Sequence, residues 1–252
     1  MTRLTIKALR EQLAQAPTPA FLATLAADPR KGAQQLWQHY QREQEQLAAK
    51  KAAFHQRERY ERQLWPQYPN IAGIDEVGRG PLAGPVVTAA VILPHDFALL
   101  DVNDSKQLRP ALRLKLYHQI LEQAVAIGVG VSDVAVIDQI NILEATKRAM
   151  LQAVANLPVH PDYLLIDAVK LNTPIPRESM FKGDANSVSI GAASIVAKVI
   201  RDQLMVAYDR AYPGYDFAKN AGYGTAKHLA GLAKYGVSPA HRQSFAPVRQ
   251  YL

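Results

Sequence analysis

Two adjacent carboxylates, Asp75 and Glu76, stand between two apolar runs, and a loop rich in glycine and proline follows them. The first run begins at Ile71 and the second extends from Val86 to Leu93. This order predicts a strand, a charged rim, a tight loop and a second strand. Carboxylates at a strand end beside backbone N–H groups suit a divalent cation that holds a phosphate. Two solvated acids in a surface turn would give the same short pattern.

Two later acids also follow apolar segments. Asp167 ends the run that begins at Tyr163, and Asp184 follows Met180 after a short turn-forming segment. Open α/β sheets place their sites at the carboxyl ends of strands. We therefore expect Asp75, Asp167 and Asp184 to lie at strand ends and to converge on one site.

The elements that must position these acids are strands alternating with helices. Apolar residues recur at helical spacing over 111–124, 137–157, 187–208 and 225–235, and β-branched residues alternate with glycine over 125–131. Helices that follow an initial hairpin and separate later strands favour an α/β fold with a mixed central sheet flanked by helices.

The first quarter of the chain has a different composition. Gln, Glu, Ala, Lys and Arg dominate residues 30–63, and these residue types favour helix. We therefore predict an all-helical N-terminal extension over 1–66 and one larger domain over 67–252. Residues 1–70 hold 11 Lys and Arg against 6 Asp and Glu, whereas the remaining residues hold 18 against 16. A basic extension suits a polyanion such as nucleic acid, although a solvated helix face would have the same composition.

Bulk composition excludes several classes of protein. The chain has 252 residues, of which 48% are hydrophobic and 20% charged, so wholesale disorder is excluded. The absence of cysteine excludes disulfides, thiol nucleophiles and thiolate zinc sites, which leaves oxygen ligands and histidine for any metal. No apolar run reaches the roughly 20 residues needed to cross a bilayer. We expect a cytoplasmic protein that makes no membrane contact.

Six segments resemble ribonuclease HII in their order and approximate spacing. They are Gly73–Val87, Asp104–Leu108, Leu164–Asp167, Lys182–Asp184, Ala192–Asp202 and Gly222–Thr225. The resemblance implies a ribonuclease H-like fold over residues 67–252. It implies an endonuclease that hydrolyses the RNA strand of RNA–DNA hybrids, that cuts at ribonucleotides embedded in duplex DNA, and that leaves 3′-hydroxyl and 5′-phosphate ends. A role in removing ribonucleotides from DNA follows from the same resemblance.

The resemblance also assigns catalytic and metal-binding roles. Carried over by motif, the family's four acids fall on Asp75, Glu76, Asp167 and Asp184, and the implied cofactor is Mg²⁺ or Mn²⁺. Two hard cations about 4 Å apart can hold both the attacking and the leaving oxygen of a phosphodiester. We expect the four acids to repel one another without metal and to be stabilised by it.

The same resemblance points to substrate-binding residues, which are Gly78, Arg79, Gly80, Tyr223, Lys106, Lys182, Lys198 and Arg201. The glycine–arginine–glycine loop resembles the family's reader of the ribose 2′-hydroxyl, which distinguishes RNA from DNA. Tyr223 resembles the tyrosine that packs on the sugar at the junction, although a buried core tyrosine is its alternative role. The cations would neutralise phosphates. For Lys198 and Arg201 a solvated helix face is the alternative.

Other polar residues of the matched segments receive structural roles. We expect Asp104 and Asp202 to pair or to cap helices, because they lie in loop and helix contexts. His241 precedes Arg242 near the C-terminus, in a further segment that matches the family, and it is expected to be structural, since a lone histidine usually is.

Three rival functions fit part of the pattern. A junction resolvase or transposase-like nuclease uses the same fold and metals, but it has no use for a 2′-hydroxyl reader. Ribonuclease HIII is expected to carry a strand-rich extension. A non-catalytic hybrid-binding protein would not need all four acids. We expect a monomer whose partners are RNA–DNA hybrids and DNA duplexes that contain ribonucleotides.

Overall fold

The computed structural model describes residues 4–252, and the chain divides into two compact units between Ala53 and Phe54. The smaller unit is helical, as the sequence predicts. It contains α1 (Ile6–Leu13), α2 (Pro19–Ala26) and most of α3 (Lys31–Arg57). Thr5 and Thr18 begin the first two helices, since each hydroxyl accepts a backbone N–H three residues later. A core that includes Phe21 and Leu25 holds the unit together.

The larger unit is built on five strands. They are β1 (Ile71–Val77), β2 (Val86–Ile92), β3 (Ala126–Ser132), β4 (Tyr163–Asp167) and β5 (Arg177–Met180). The sheet order is β3-β2-β1-β4-β5, with β1 antiparallel to β2 and parallel to β4. β3 pairs antiparallel with β2, and β5 pairs parallel with β4. The predicted mixed central sheet is therefore confirmed.

Eight helices of the larger unit lie among the described residues outside α3. They are α4 (Arg59–Leu64), α5 (Pro110–Gln123), α6 (Val134–Ala155), α7 (Gly183–Asn186), α8 (Val188–Ala211), α9 (Phe217–Asn220), α10 (Ala226–Tyr235) and α11 (Ala246–Arg249). Among residues 4–252, no helix is both long and apolar enough to span a lipid bilayer.

The sheet is covered on both faces. Helix α8 packs on β1 and β2, and α5 packs on α8, so this face has one continuous apolar core. Helix α6 packs on β3 and β2, and Met150 and Ala153 enter a second core with Ile74. Close packing of helices on the sheet explains the glycines at positions 73 and 130: a Cβ at Gly73 would overlap the backbone of Ser189, and one at Gly130 would overlap the carbonyl of Ala149.

Two local predictions were wrong. Asp184 does not end a strand, because β5 stops at Met180 and the acid lies in the one-turn helix α7. Helix α6 is not continuous, because Asn141 has φ 70° and its side chain accepts the N–H groups of Leu143 and Glu144. Asn141 thus acts as an N-cap inside the predicted helix, which apolar spacing alone does not reveal.

Candidate active site

The carboxyl ends of β1 and β4 bring Asp75 and Asp167 together. The two strands are parallel neighbours, and Ile74 lies opposite Ile166 in their register. The next residue of each strand is an aspartate, so the two acids leave the sheet at the same level. Sequence positions 92 residues apart are adjacent here because parallel pairing aligns the strand ends.

Asp75 is the most enclosed acid of the site. Its side chain is buried, with the residue 3% exposed, and Oδ1 accepts the N–H of Glu76 at 2.7 Å. Burial, followed by the charge of Glu76, raises the pKa of Asp75 well above its ordinary value. A hydrogen bond with Ser194 of α8 acts in the opposite direction. The Ser194 hydroxyl also lies 2.9 Å from the Ser105 hydroxyl, so it is itself fixed in place.

Glu76 has an unsatisfied oxygen. Its Oε1 lies 3.4 Å from Nη1 of Arg79, whereas Oε2 is buried and has no hydrogen-bond partner. Burial raises the pKa of Glu76 to about 7, although Arg79 lowers it in part. Ligand oxygens of Asp75, Glu76 and Asp167 all lie within 4.8 Å of one another. A buried acceptor without a donor costs free energy unless a cation or proton reaches it.

Asp167 and Asp184 are linked through the turn that begins α7. Oδ1 of Asp167 accepts the N–H of Gly183 at 2.7 Å, which holds the adjacent Asp184 close to the site. Burial raises the pKa of both acids, and the charges of Asp104 and Asp167 raise that of Asp184 further. Lys106 Nζ lies 3.7 Å from Asp184 Oδ2.

These four acids fit a divalent cation. Their pKa values are all raised by burial, and for each of the four a neighbouring carboxylate contributes to the rise. Mg²⁺ and Mn²⁺ prefer hard oxygen ligands in proteins, and carboxylates supply them. A bound cation would relieve the repulsion and satisfy Oε2 of Glu76. Asp184 lies outside the group of three whose oxygens meet within 4.8 Å.

The loop after β1 lies beside Tyr223. Gly78 has φ 95°, which few other residues adopt, and a Cβ at Gly80 would lie 3.5 Å from the Tyr223 ring. Tyr223 is 50% exposed, so its alternative role as a core tyrosine does not apply. Leu82 N donates to Gly222 O at 2.8 Å, which ties the segment after the loop to the chain before Tyr223.

The predicted phosphate contacts lie in different surroundings. Lys106 and Lys182 are exposed, with Lys106 close to Asp184, as described above. Lys198 is mostly buried and donates to Asp202 at 2.6 Å, while Arg113 lies 3.5 Å from the same acid. Asp202 therefore pairs, as the sequence predicts.

The structure corrects the role predicted for Arg201. The prediction that it contacts phosphate is wrong, as is its alternative of a solvated face, because the residue is 0% exposed. Its guanidinium donates to the backbone carbonyls of Pro85, Ala83 and Ala221 at 2.9 to 3.1 Å. Burial lowers the pKa of Arg201 to about 10. Its role in this structure is to hold the backbone after the glycine loop.

Sequence reasoning missed the role of Arg242. This residue is also 0% exposed, and its guanidinium donates to the carbonyls of Gly78, Arg79 and Gly84. The signal available in the sequence was its place in a matched segment directly after His241. His241 is buried as well, and its Nε2 lies 2.9 Å from Nε2 of His228.

Known families match both parts of the chain. A family model described as "Ribonuclease HII" matches residues 72–248, which is more than half of the chain. The chain belongs to the ribonuclease HII family. A second model, "Ribonuclease HII N-terminal domain", matches residues 5–65. The ribonuclease HII of Latilactobacillus sakei is 59% identical over 253 residues and covers 100% of both chains. That of Enterococcus faecalis is 53% identical over 255 residues, again with 100% of both chains covered.

Solved structures show the same fold. The ribonuclease H2 from Pyrococcus horikoshii OT3 aligns with TM-score 0.64 and 24% identity, over 72% of this chain and 96% of that one. Bst-RNase HIII, solved in complex with Mn²⁺, aligns with TM-score 0.54 and 21% identity, over 72% and 68% of the two chains. The predicted ribonuclease H-like fold is therefore confirmed.

Membership of the ribonuclease HII family makes the chain a hydrolytic endoribonuclease. The helical N-terminal region agrees with the N-terminal domain model of that family, and not with the strand-rich extension expected of ribonuclease HIII. Neither family model describes a junction resolvase or a non-catalytic binder.

Proposed function

We propose that this endoribonuclease hydrolyses the RNA strand of RNA–DNA hybrids and cuts at ribonucleotides embedded in duplex DNA. One observation carries the proposal: a partly buried group of carboxylates from the ends of β1 and β4, in which one buried oxygen has no hydrogen-bond partner. The adjacent glycine loop and the exposed Tyr223 ring offer a surface for a sugar. Family membership supports the same reaction class.

The four acids would hold the metal. Asp75, Glu76, Asp167 and Asp184 supply oxygens that suit two Mg²⁺ or Mn²⁺ ions. When bound, such a pair activates water and neutralises the leaving 3′-oxygen. The chain's own contribution is to hold the carboxylates in place, through Ser194 at Asp75 and Gly183 N at Asp167. Cleavage would leave 3′-hydroxyl and 5′-phosphate ends.

The substrate would lie over the glycine loop. Gly78 and Gly80 bring backbone groups close to a 2′-hydroxyl, because two of the three loop residues have no side chain. Arg79 is partly exposed beside Glu76, and Tyr223 would pack against the sugar at the ribose-to-deoxyribose junction. Lys106 and Lys182 would neutralise flanking phosphates, which strengthens binding without selecting sequence.

One cleavage assay tests this function. Purified protein with Mg²⁺ or Mn²⁺ is incubated with a DNA duplex that contains one ribonucleotide, with a hybrid that has a continuous RNA strand, and with an all-DNA duplex. We expect cleavage of the first two, metal dependence and 3′-hydroxyl products. Equal cleavage of the all-DNA duplex would contradict ribose recognition, and cleavage in chelator would contradict the metal site.

The N-terminal extension is proposed to bind substrate by charge. Arg10, Arg42 and Lys51 are exposed in the smaller unit. Changing all three to glutamine in the full chain should reduce the slope of log affinity against log salt, by up to about one unit per lost phosphate contact. The matched control changes Gln41, Gln44 and Gln46 to serine, which leaves the charge unaltered. An unchanged slope in the charge variant would contradict the role.

Truncation is a poorer test of the extension proposed over residues 1–66. Phe54 packs in the core beside the sheet, and the buried carboxylate of Glu61 accepts hydrogen bonds from Ser187 and Ser189 at the start of α8. Removing 66 residues would therefore remove parts of the larger unit, which begins at Phe54. Surface substitutions avoid that damage. The boundary proposed between residues 66 and 67 marks a change in amino-acid composition, and the catalytic domain is proposed to extend over 67–252.

Three further properties remain proposals. We propose that the protein acts in the cytoplasm, that it takes part in removing ribonucleotides from DNA, and that it is a monomer. The proposed substrate supports the first two, and the charge excess of the N-terminal region suits such a nucleic-acid substrate. Light scattering at several concentrations tests the third, and a mass that rises with concentration would contradict it.

A further inference from the structure

The segment around His241 and Arg242 lies directly behind the glycine loop. Arg242 N donates to Leu82 O at 2.9 Å, and Gly84 N donates to Ala240 O at 2.8 Å. Ala83 forms an isolated antiparallel bridge with His241. The segment therefore pairs with residues 82–84, which follow the glycine loop, through two backbone hydrogen bonds and one isolated bridge.

His228 and His241 form a hydrogen-bonded chain in which only one arrangement of the protons leaves both rings neutral. Nδ1 of His228 lies 2.9 Å from the Tyr223 carbonyl, which can only accept, so Nδ1 carries the proton. Nε2 of a neutral His228 must then accept from Nε2 of His241, at 2.9 Å. Nδ1 of His241 accepts in turn from Ser238, whose N lies at 3.0 Å and whose Oγ lies at 2.8 Å.

Burial supports the neutral form of both rings. It lowers the pKa of His228, and burial together with His228 lowers the pKa of His241 to about 4. A contact of 3.4 Å between Nδ1 of His241 and the Ser238 carbonyl would require the opposite tautomer. That tautomer leaves His228 with protons on both nitrogens, so the shorter contacts to Ser238 decide the assignment.

The guanidinium of Arg242 holds the backbone of the glycine loop. It is fully buried and donates to the carbonyls of Gly78, Arg79 and Gly84, at 2.9 Å to Arg79. Five N–H donors in a rigid fork can fix several carbonyls at once, which a lysine cannot do.

We propose that His241 and Arg242 are positioning residues that set the gap between the glycine loop and Tyr223, where a ribose would lie. Arg242 acts directly on the glycine loop through its hydrogen bonds to the loop carbonyls. His241 acts on the backbone of Tyr223 through His228. The inference rests on the proposed function of Gly78–Gly80 and Tyr223. Because the Tyr223 ring is half exposed, core packing alone does not fix it, and its backbone carbonyl is held by Thr225 N and His228.

Imidazole ¹⁵N spectra of the full-length protein test the proton chain. We expect a protonated Nδ1 in His228 and a protonated Nε2 in His241, both neutral at pH 7. The opposite tautomer in either ring would overturn the relay. The exposed His118 on α5 serves as the internal reference for a solvated ring.

Substitutions test positioning without assuming ribose recognition. In His241→Leu and Arg242→Met, the backbone amide signals of Gly78, Gly80 and Tyr223 should shift, whereas His118→Gln should leave them in place. His241→Gln places an amide donor near the lost Nε2 and should restore the Tyr223 signal. Arg242→Lys, which keeps the buried positive charge, is the second variant if Arg242→Met fails to fold, and it should still shift the loop signals. Unchanged amide signals in the folded variants would overturn positioning.

Binding selectivity provides the functional readout. Affinity is measured in chelator, so that no cleavage occurs, for a duplex with one ribonucleotide and for its all-DNA counterpart. The ratio of the two affinities does not depend on the folded fraction. We expect His241→Leu and Arg242→Lys to reduce the wild-type preference several-fold, and His241→Gln to retain most of it. A wild-type ratio of one would contradict the proposed loop function, while the amide shifts still decide positioning. A wild-type preference above one that both variants retain would overturn the inference.

Discussion

The carboxylate group and the glycine loop are neighbours with opposite electrostatic designs. At the acids, charges of one sign are buried together, the pKa of each is raised, and Oε2 of Glu76 has no partner. At the loop, Arg201 and Arg242 are buried, but their guanidinium groups donate to backbone carbonyls. The first region is incomplete without a cation, whereas the second is satisfied by the protein itself.

This difference separates the proposed metal-binding region from the proposed sugar-recognition region. Repulsion between carboxylates stores unfavourable free energy that a divalent ion can relieve, so metal affinity is strengthened at the expense of stability. A loop whose carbonyls are already paired needs little rearrangement when substrate arrives, which preserves affinity. The two regions should therefore respond in opposite directions to mutation.

The largest expected effect is at Asp75. Asp75→Asn should lower the cleavage rate by at least about a thousandfold, because metal capture is weakened while phosphate contacts remain. The same change should raise the stability of the metal-free protein by about 1 kcal/mol, since it removes one buried charge. Single-turnover cleavage and thermal melts measure both. Glu122→Gln on the exposed side of α5 is the control, and a destabilised Asp75→Asn would contradict the repulsion account.

In contrast to Asp75→Asn, Arg201→Lys should lower the stability of the protein. An ammonium group cannot reach the carbonyls of Pro85, Ala83 and Ala221 together, so buried acceptors lose their donors. We expect a loss of about 2 to 4 kcal/mol in unfolding free energy, measured by urea denaturation. Arg210→Lys, on an exposed position of the same helix, is the matched control. Equal stability of the two variants would show that the loop is not held as described.

Metal should stabilise one region only. Mg²⁺ titration should raise the melting temperature of the wild-type protein by a few degrees, because ligand binding to the folded state adds to its stability. The rise should be much smaller in Asp75→Asn and unaltered in Arg201→Lys. Calorimetric melts at matched ionic strength measure it. A rise of equal size in Asp75→Asn would place the stabilising ion elsewhere.

The smallest expected effect concerns pH at His241. Its pKa is lowered from 6.5 to about 4 by burial and by His228, so folding favours the neutral ring. Its contribution to stability is fully present above about pH 6.5 and is lost as pH falls towards 4. The difference in melting temperature between wild type and His241→Gln should narrow over that interval. His118→Gln should show no such change, and a difference independent of pH would contradict a buried neutral ring.

Local pattern was enough for much of the fold and for the acids themselves. The strand Tyr163–Asp167 was predicted with the bounds that the structure has, because a short apolar run ending on a carboxylate has few other readings. The alternation of glycine with β-branched residues in β3 was also visible in the sequence, but the sequence alone does not show its cause. That cause is the backbone of α6, which leaves no room for a Cβ at Gly130.

Local pattern failed where a residue's role depends on distant backbone. Arg201 resembled a surface cation of a helix, yet its partner Pro85 lies 116 residues away in the chain, and Gly78, a partner of Arg242, lies 164 residues away. Nothing near either arginine signals burial, because carbonyls from the loop supply the compensation. Asp184 was placed on the wrong kind of element for a similar reason, since its position depends on the bond between Gly183 and Asp167.

The sequence by itself determined which side chains carry charge and where strands can end, because residue type and periodicity are local properties of the chain. Only the tertiary structure decided which charges meet. Parallel pairing of β1 with β4 sets Asp75 beside Asp167, and the packing of α8 and the C-terminal segment buries two arginines behind the loop. Burial changes the energy of each charge, and burial is a property of the whole fold.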